Sequence, residues 1–238
     1  MPFEIPTEDD KKYQFVQSRF TKIAEKYDFF NDIVTQGMHR YWKNFLVKQA
    51  SLNIGDQALD ICCGTGDITQ RLVQAVGKKG QVVGLDFSEG MLMAAGQRNK
   101  KQKTFFLQGD AMALPFRDNA FDAVTVGYGL RNLIDIEICL REVFRVLKPG
   151  GRFLSLDMGK VRLPLIKQLF HVYFFNVVPL IGKMIYPKED LFDYFPVSTL
   201  EYPSQESLND MLLKEGFKET RYYNFSFGAT AIHRAVKP

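Results

Sequence analysis

The chain alternates between segments with helical spacing of apolar residues and segments with strand-like spacing. An amphipathic helix is predicted over residues 13–27 and a second over residues 39–50. The apolar face of the first comprises Val16, Phe20, Ile23, Ala24 and Tyr27. Beyond a turn at residues 53–56, strands and helices alternate, which is typical of a parallel sheet covered by helices. The predicted helices are 68–76, 90–98 and 136–146, and the predicted strands after the first are 82–85, 104–107, 120–126 and 152–157.

The last third of the chain departs from this alternation. Residues 161–205 predict a helical insertion, and residues 208–215 predict a further helix. Two strands, 220–225 and 229–236, follow as a hairpin that adds an antiparallel strand to the sheet. We therefore expect one domain over residues 1–238. Its parts are an N-terminal helical cap (1–50, with a mobile start over 1–12), a core (51–160), the insertion (161–205) and a C-terminal helix and hairpin (206–238).

Polar and glycine residues gather where the first two strands end. Residues 59–67 read Leu-Asp-Ile-Cys-Cys-Gly-Thr-Gly-Asp, and the second strand ends in Asp86. Gly64 and Gly66 let the backbone pass close to a ligand, and Asp86 can accept hydrogen bonds from both hydroxyls of a ribose. This pattern predicts a nucleotide site, with Asp60, Gly64, Gly66 and Asp86 as binding residues.

The residues after Gly66 narrow the choice of nucleotide. A dinucleotide fingerprint needs a third glycine where this chain has Thr69, and Asp67 lies where a pyrophosphate would bind. A carboxylate there repels phosphate and suits a ligand that carries a cation, as S-adenosylmethionine (SAM) does. The other interpretation is that Asp67 only caps the following helix.

Two further strand ends point to the same edge of the sheet. Asp110 and Ala111 follow the third strand, beside the expected adenine, and the fourth strand ends in Gly-Tyr-Gly-Leu-Arg-Asn, residues 127–132. Ligands of open α/β sheets bind at these carboxyl ends. Each aspartate could instead cap a turn or helix, but four such ends in succession favour a site.

Composition excludes several classes of function. A net charge of +4 is too weak to favour nucleic acid. Three cysteines without metal-ligand spacing predict no disulfide framework, no metal site and a reducing, cytoplasmic location. The oligomeric state is left open, a homodimer included.

Residues 163–186 are densely apolar and aromatic. Lys167, His171, Asn176, Pro179 and Lys183 interrupt them, so a helical insertion over the active site is favoured over a membrane span. Its function is either plain core packing or an apolar wall for a substrate, in peripheral contact with a bilayer at the inner face of the membrane.

Two long segments carry a resemblance to a known family. Residues 27–42 resemble the N-terminal signature of the ubiquinone/menaquinone biosynthesis C-methyltransferases, the UbiE family. Residues 145–157 resemble its second signature. The chain departs from the family at four positions, which are Phe30, Thr35, Gly127 and Gly159.

The resemblance, which spans residues 15–237, implies both fold and activity. The fold is the class I SAM-dependent methyltransferase fold, an α/β Rossmann-like sheet of seven mostly parallel strands with one antiparallel strand. The activity is methylation of a ring carbon on a prenylated hydroquinone. Family SAM contacts map onto Thr69, Asp86, Asp110 and Ala111, and Gly127 retains only a backbone contact where the family has serine.

The chemistry of this transfer suggests candidate catalytic residues. A hydroquinone that loses a phenolic proton can attack the sulfonium methyl through carbon, whereas an electron-poor quinone cannot. Arg131 could stabilise the phenolate, unless it only pairs with a nearby carboxylate of Asp135 or Glu137. Asn132 could orient the same oxygen and Tyr128 could contact the ring. His39 is the candidate general base, with a purely structural role as the alternative.

Other functions remain open from sequence. Demethylmenaquinol is favoured as substrate over a 2-methoxy-6-polyprenyl benzoquinol. A nicotinamide-dependent oxidoreductase is disfavoured by Asp67 and Thr69, and a non-catalytic subunit by the intact site residues. Nucleic-acid methylation lacks both strong positive charge and a base-flipping motif.

Overall fold

The computed structural model describes residues 9–99, 104–187 and 191–238. The predictions for residues 1–8, 100–103 and 188–190 lie outside this part of the chain. The helices are α1 (Asp9–Ile23), α2 (Tyr27–Val34), α3 (Met38–Ala50), α4 (Asp67–Val76), α5 (Glu89–Arg98), α6 (Ile136–Val146), α7 (Pro164–Val172), α8 (Val178–Ile185), α9 (Leu191–Glu201) and α10 (Gln205–Lys214). The strands are β1 (Gln57–Ile61), β2 (Gln81–Asp86), β3 (Phe105–Gln108), β4 (Phe121–Gly127), β5 (Leu147–Met158), β6 (Lys218–Phe225) and β7 (Thr230–Val236).

The strands form one seven-stranded sheet in the order β3-β2-β1-β4-β5-β7-β6. β1 pairs in parallel with both β2 and β4, and β7 is antiparallel to both of its neighbours. The predicted parallel sheet with one antiparallel strand is therefore confirmed. The strand order reverses between β1 and β4, which is where open α/β sheets bind ligands.

Apolar residues cover both faces of the central strands. One cluster joins the sheet to α6 and α10 through Leu140, Val143 and Leu208, and another joins it to α3 and α4 through Leu46 and Leu72. Burial on both faces explains why β1 and β4 are mostly apolar in sequence.

A third cluster packs the N-terminal helices against the insertion. Val16, Phe20 and Ile23 of α1 meet Val178, at the start of α8, and Phe195 of α9. The helical face predicted for residues 13–27 therefore packs against the insertion and α5.

Several element boundaries differ from the sequence prediction; α1, for example, already begins at Asp9, within the segment expected to be mobile. The first helix ends at Ile23, whose carbonyl accepts a hydrogen bond of 2.5 Å from the Tyr186 hydroxyl, and a 3-10 turn separates it from α2. β5 begins at Leu147 rather than at residue 152, because the predicted turn is a bulge within the strand, with Gly150 at φ +77°.

Candidate functional site

The turn after β1 brings the backbone over the C-terminal edge of the sheet. Cys62, Gly64 and Gly66 all have left-handed φ angles, of 50°, 54° and 77°. Gly64 faces a cavity at this edge, whereas Gly66 packs below it, with its missing Cβ 3.0 Å from the Phe106 ring. We name this space the strand-end cavity; its lining includes Gly64, Asp86, Asp110, Ala111, Gly127 and Tyr128.

Asp86 connects the ends of β1 and β2. Its two carboxylate oxygens accept hydrogen bonds from the backbone N–H groups of Gly64 (2.8 Å) and Ser88 (2.9 Å). Burial raises the pKa of Asp86 to about 6, because its charged form is poorly solvated and the backbone donors offset this only in part. The carboxylate lines the cavity where the sequence predicted a ribose contact.

The third strand end contributes Asp110 and Ala111 to the same cavity, as predicted. Asp110 accepts a hydrogen bond of 2.8 Å from the backbone N–H of Met112, which holds the turn. Asp110 thus both holds the turn and lines the cavity.

Asp60 lines the cavity, but Thr69 does not. The hydroxyls of Thr69 and Thr125 donate to the two oxygens of Asp60 at 2.6 and 2.7 Å. Burial raises the pKa of Asp60 to about 6, against the lowering effect of these two bonds. Thr69, which is fully buried, therefore orients Asp60 from below the cavity wall.

The negative charge of Asp67 is compensated by cationic side chains of the protein. Its carboxylate contacts Lys43 at 2.8 Å, Arg71 at 3.1 Å and Arg98 at 3.4 Å. Burial alone would raise its pKa, but Lys43 and the two arginines bring it down to about 2. The sequence analysis considered Asp67 only against a ligand, whereas α3 and α5 supply cations to it from distant parts of the chain.

Gly127 and Tyr128 form the fourth strand end. A Cβ at Gly127 would lie 2.4 Å from the Ile68 side-chain end, so that side chain fills the space of the usual serine. Tyr128 has φ 59°, and burial raises the pKa of its phenol. Its backbone carbonyl accepts a hydrogen bond of 3.1 Å from the Asn132 side chain, which also lines the cavity.

A second cavity lies beneath the insertion, with a volume of about 460 Å³. We name it the insertion cavity; its mainly apolar lining includes Phe30, Trp42, Ile166, Phe170, Tyr173 and Phe195. Tyr27, Asn31 and Tyr128 line both cavities and therefore mark where the two meet. Sequence reasoning gave Tyr27 and Asn31 no site role, although both belong to the 27–42 segment.

Arg131 lines the insertion cavity rather than the strand-end cavity. Its guanidinium donates to Asp157 at 2.8 Å, and both side chains are buried. The sequence analysis considered Asp135 and Glu137 as the carboxylates that pair with Arg131. Instead, Asp135 caps α6 and Glu137 pairs with Lys214.

His39 lines neither cavity. Its Nε2 lies 2.7 Å from Asp32, and it is buried where α2 and α3 meet. Burial lowers its pKa, as does the charge of Lys43. At this position His39 joins α2 and α3 through its contact with Asp32. His171 stacks on Phe175 and His233 contacts the Gln205 carbonyl, both also outside the two cavities.

Known proteins are similar to this chain in sequence and in fold. A demethylmenaquinone methyltransferase of Leptospira interrogans serovar copenhageni is 46% identical, with 99% of this chain and 97% of the relative covered. The ubiquinone/menaquinone biosynthesis C-methyltransferase UbiE of Teredinibacter turnerae is 39% identical, with 99% and 96% covered. A SAM-dependent methyltransferase structure from Thermotoga maritima superposes with a TM-score of 0.65 at 21% identity, covering 93% of this chain and 99% of that chain.

The strand order of the sheet and the residues at its strand ends agree with this similarity to methyltransferases. The fold is that of the SAM-dependent methyltransferases, which confirms the predicted fold class. The sequence profile of the ubiE/COQ5 methyltransferase family matches residues 7–237. The chain therefore belongs to the ubiE/COQ5 methyltransferase family.

Proposed function

We propose that this enzyme transfers a methyl group from SAM to a ring carbon of a prenylated hydroquinone, with demethylmenaquinol as the substrate. The observation that carries the proposal is the junction of two cavities that present different functional groups. A cavity whose wall carries the carboxylates of Asp60, Asp86 and Asp110 meets a second cavity lined mainly by aromatic and aliphatic side chains, and Tyr27, Asn31 and Tyr128 line both. The name of the Leptospira relative supports the naphthoquinol ring.

The residues of the strand-end cavity fit SAM. Asp86 would accept hydrogen bonds from the ribose, and Asp110 and Ala111 would contact the adenine. Gly64, whose missing Cβ would point into open space, leaves the backbone accessible beside Asp86. SAM supplies a methyl group on a sulfonium, which a nucleophilic carbon can accept.

The insertion cavity would hold the quinol. Arg131 lies on its wall, with its charge held in place by Asp157. A guanidinium beside a phenol favours the phenolate, so the proton can leave to water and the ring carbon becomes nucleophilic. Transfer of the methyl group and loss of the ring proton then restore the aromatic ring. Tyr128 and Asn31, at the junction, would orient the ring toward the cofactor.

The prenyl chain would leave the cavity along the insertion, at the membrane. The segment Pro164–Ile185, which joins α7, the π-helical turn and α8, could cross a bilayer by length and composition alone, and only 17% of its most apolar window is buried in the protein. Its exposed apolar side chains, which include Leu165, Leu169, Leu180 and Met184, would instead rest in the interface. No acidic residue occurs between residues 157 and 189, and exposed Lys167 and Lys183 would favour anionic lipids on the cytoplasmic side.

The first experiment supplies purified enzyme with labelled SAM and chemically reduced demethylmenaquinone, and identifies the product by mass. We expect methylated menaquinol without any added protein. A parallel reaction uses a 2-methoxy-6-polyprenyl benzoquinol, since the name of the Teredinibacter relative includes ubiquinone synthesis. Product only from the benzoquinol would overturn the naphthoquinol assignment. Product from neither, in a sample that binds S-adenosylhomocysteine, would overturn independent catalysis.

A further inference from the structure

Lys43 is a buried cation on the wall of the strand-end cavity. It lies on α3 and is 6% exposed. Among the described residues that line this cavity, it is the one lysine or arginine. Its ammonium contacts the Asp67 carboxylate at 2.8 Å. The proposed methyl transfer gives this charge no task.

Asp67 does not depend on Lys43 for neutralisation. Arg71 reaches the other carboxylate oxygen from the same helix, and Arg98 reaches it from α5. Arg71 and Arg98 do not line the cavity. Lys43 can therefore bind a second anion without leaving Asp67 unpaired.

The sheet order places Lys43 away from the adenosine residues. Asp110 and Ala111 follow the edge strand β3, whereas α3 packs on β5 and α4. β3 and β4 are three strand spacings apart, about 14 Å. A ligand with its adenosine at Asp86 and Asp110 therefore extends its amino-acid tail toward the Lys43 end.

We propose that Lys43 binds the α-carboxylate of the methyl donor's amino-acid tail and so selects an intact amino acid there. The inference rests on SAM as the cofactor. Asp60, a buried carboxylate on the same cavity wall, provides the matching site for the α-ammonium. A cation and a carboxylate in one cavity complement a zwitterion, and a charge-assisted hydrogen bond recognises it without bulk solvent.

Calorimetric titration with two ligands tests this assignment. S-adenosylhomocysteine has the tail carboxylate, and its decarboxylated analogue, S-adenosyl-3-thiopropylamine, lacks only that group. We expect the wild-type enzyme to bind the intact ligand about 10- to 100-fold more tightly. Lys43→Gln should reduce this ratio to near one, by weakening the intact ligand alone. Lys43→Arg should retain most of the ratio.

The matched control is Arg71→Gln, which removes another cation from Asp67 outside the cavity. It should leave the ratio at the wild-type value. A wild-type ratio near one would overturn the proposal without any variant. Equal weakening of both ligands by Lys43→Gln would also overturn it, while binding of the decarboxylated analogue would still show a working adenosine site.

Discussion

Asp60 and Asp86 are buried carboxylates at neighbouring strand ends, and burial raises the pKa of each to about 6. Each accepts two hydrogen bonds from the protein, so its position is held before any ligand binds. Because both pKa values are raised, their contribution to the stability of the ligand-free protein is greatest below about pH 4 and is lost as the pH rises through 6. Ligand binding that needs the charged forms has the opposite pH dependence.

Affinity for S-adenosylhomocysteine should therefore fall as the pH is lowered through 6. Protonated Asp86 accepts fewer hydrogen bonds from a ribose, so we expect the Kd to increase about tenfold between pH 7 and pH 5. Calorimetric titration across this range measures the change. In Asp86→Asn the affinity for S-adenosylhomocysteine should be lower at every pH in this range. Its pH dependence should also be smaller, because only the titration of Asp60 remains. An unchanged pH dependence in this variant would contradict the ribose assignment.

Removal of the Arg131 guanidinium should slow the chemical step. We expect Arg131→Ala to reduce kcat about 100-fold at saturating quinol, as the loss of one stabiliser of a developing anion does. The variant leaves Asp157 buried and without its ion pair. The double variant Arg131→Ala with Asp157→Asn removes both charges and controls for that cost.

Affinity for S-adenosylhomocysteine provides the check on folding in both Arg131 variants. We expect it to stay within a few-fold of wild type, because Arg131 lines the insertion cavity and not the strand-end cavity. Wild-type turnover by Arg131→Ala at saturating quinol would refute the phenolate role.

At the scale of elements, the end of β5 and the C-terminal hairpin approach each other closely at Gly159. Gly159 follows β5, and a Cβ there would lie 2.3 Å from the Gly228 carbonyl oxygen and 2.6 Å from Gln205 Nε2. The Gly159 N–H also bonds to the Ala229 carbonyl. A side chain at this position, such as the serine of the family signature, would therefore require the hairpin backbone or Gln205 to shift.

Gly159→Ala should consequently destabilise the protein by about 1–3 kcal/mol and lower its Tm by several degrees. The matched control is Gly96→Ala in α5, where nothing lies within 4 Å of the added methyl group. That change should raise stability by up to about 1 kcal/mol, since alanine favours a helix. Thermal unfolding of the two variants distinguishes packing from backbone propensity. Equal Tm shifts would contradict the packing explanation.

At the scale of the whole molecule, the proposed membrane contact is made by exposed apolar residues of the insertion. Leu165 and Met184 are 70% and 74% exposed, on the two helices that flank a π-helical turn. The double variant Leu165→Glu with Met184→Glu should bind vesicles that contain anionic lipid about 10-fold less tightly, because it loses buried apolar area and adds negative charge. Sedimentation with such vesicles measures the affinity.

The chain offers a matched control at the opposite edge of the sheet. Ile54 precedes β1 and is also 74% exposed. Ile54→Glu should leave vesicle binding close to wild type. If the single and double variants bound equally well, the insertion would not be the membrane face.

Sequence alone determined the alternation of strands and helices, the C-terminal hairpin and the strand ends that line a cavity. Apolar periodicity and the φ freedom of Gly64 depend on residue type and near neighbours, so the sequence shows them directly. Only the tertiary structure decided that Arg131 pairs with Asp157, Thr69 with Asp60 and His39 with Asp32. It also showed that Lys43 reaches Asp67. These contacts depend on strand register and helix packing, which bring together side chains separated by up to 26 residues in these pairs.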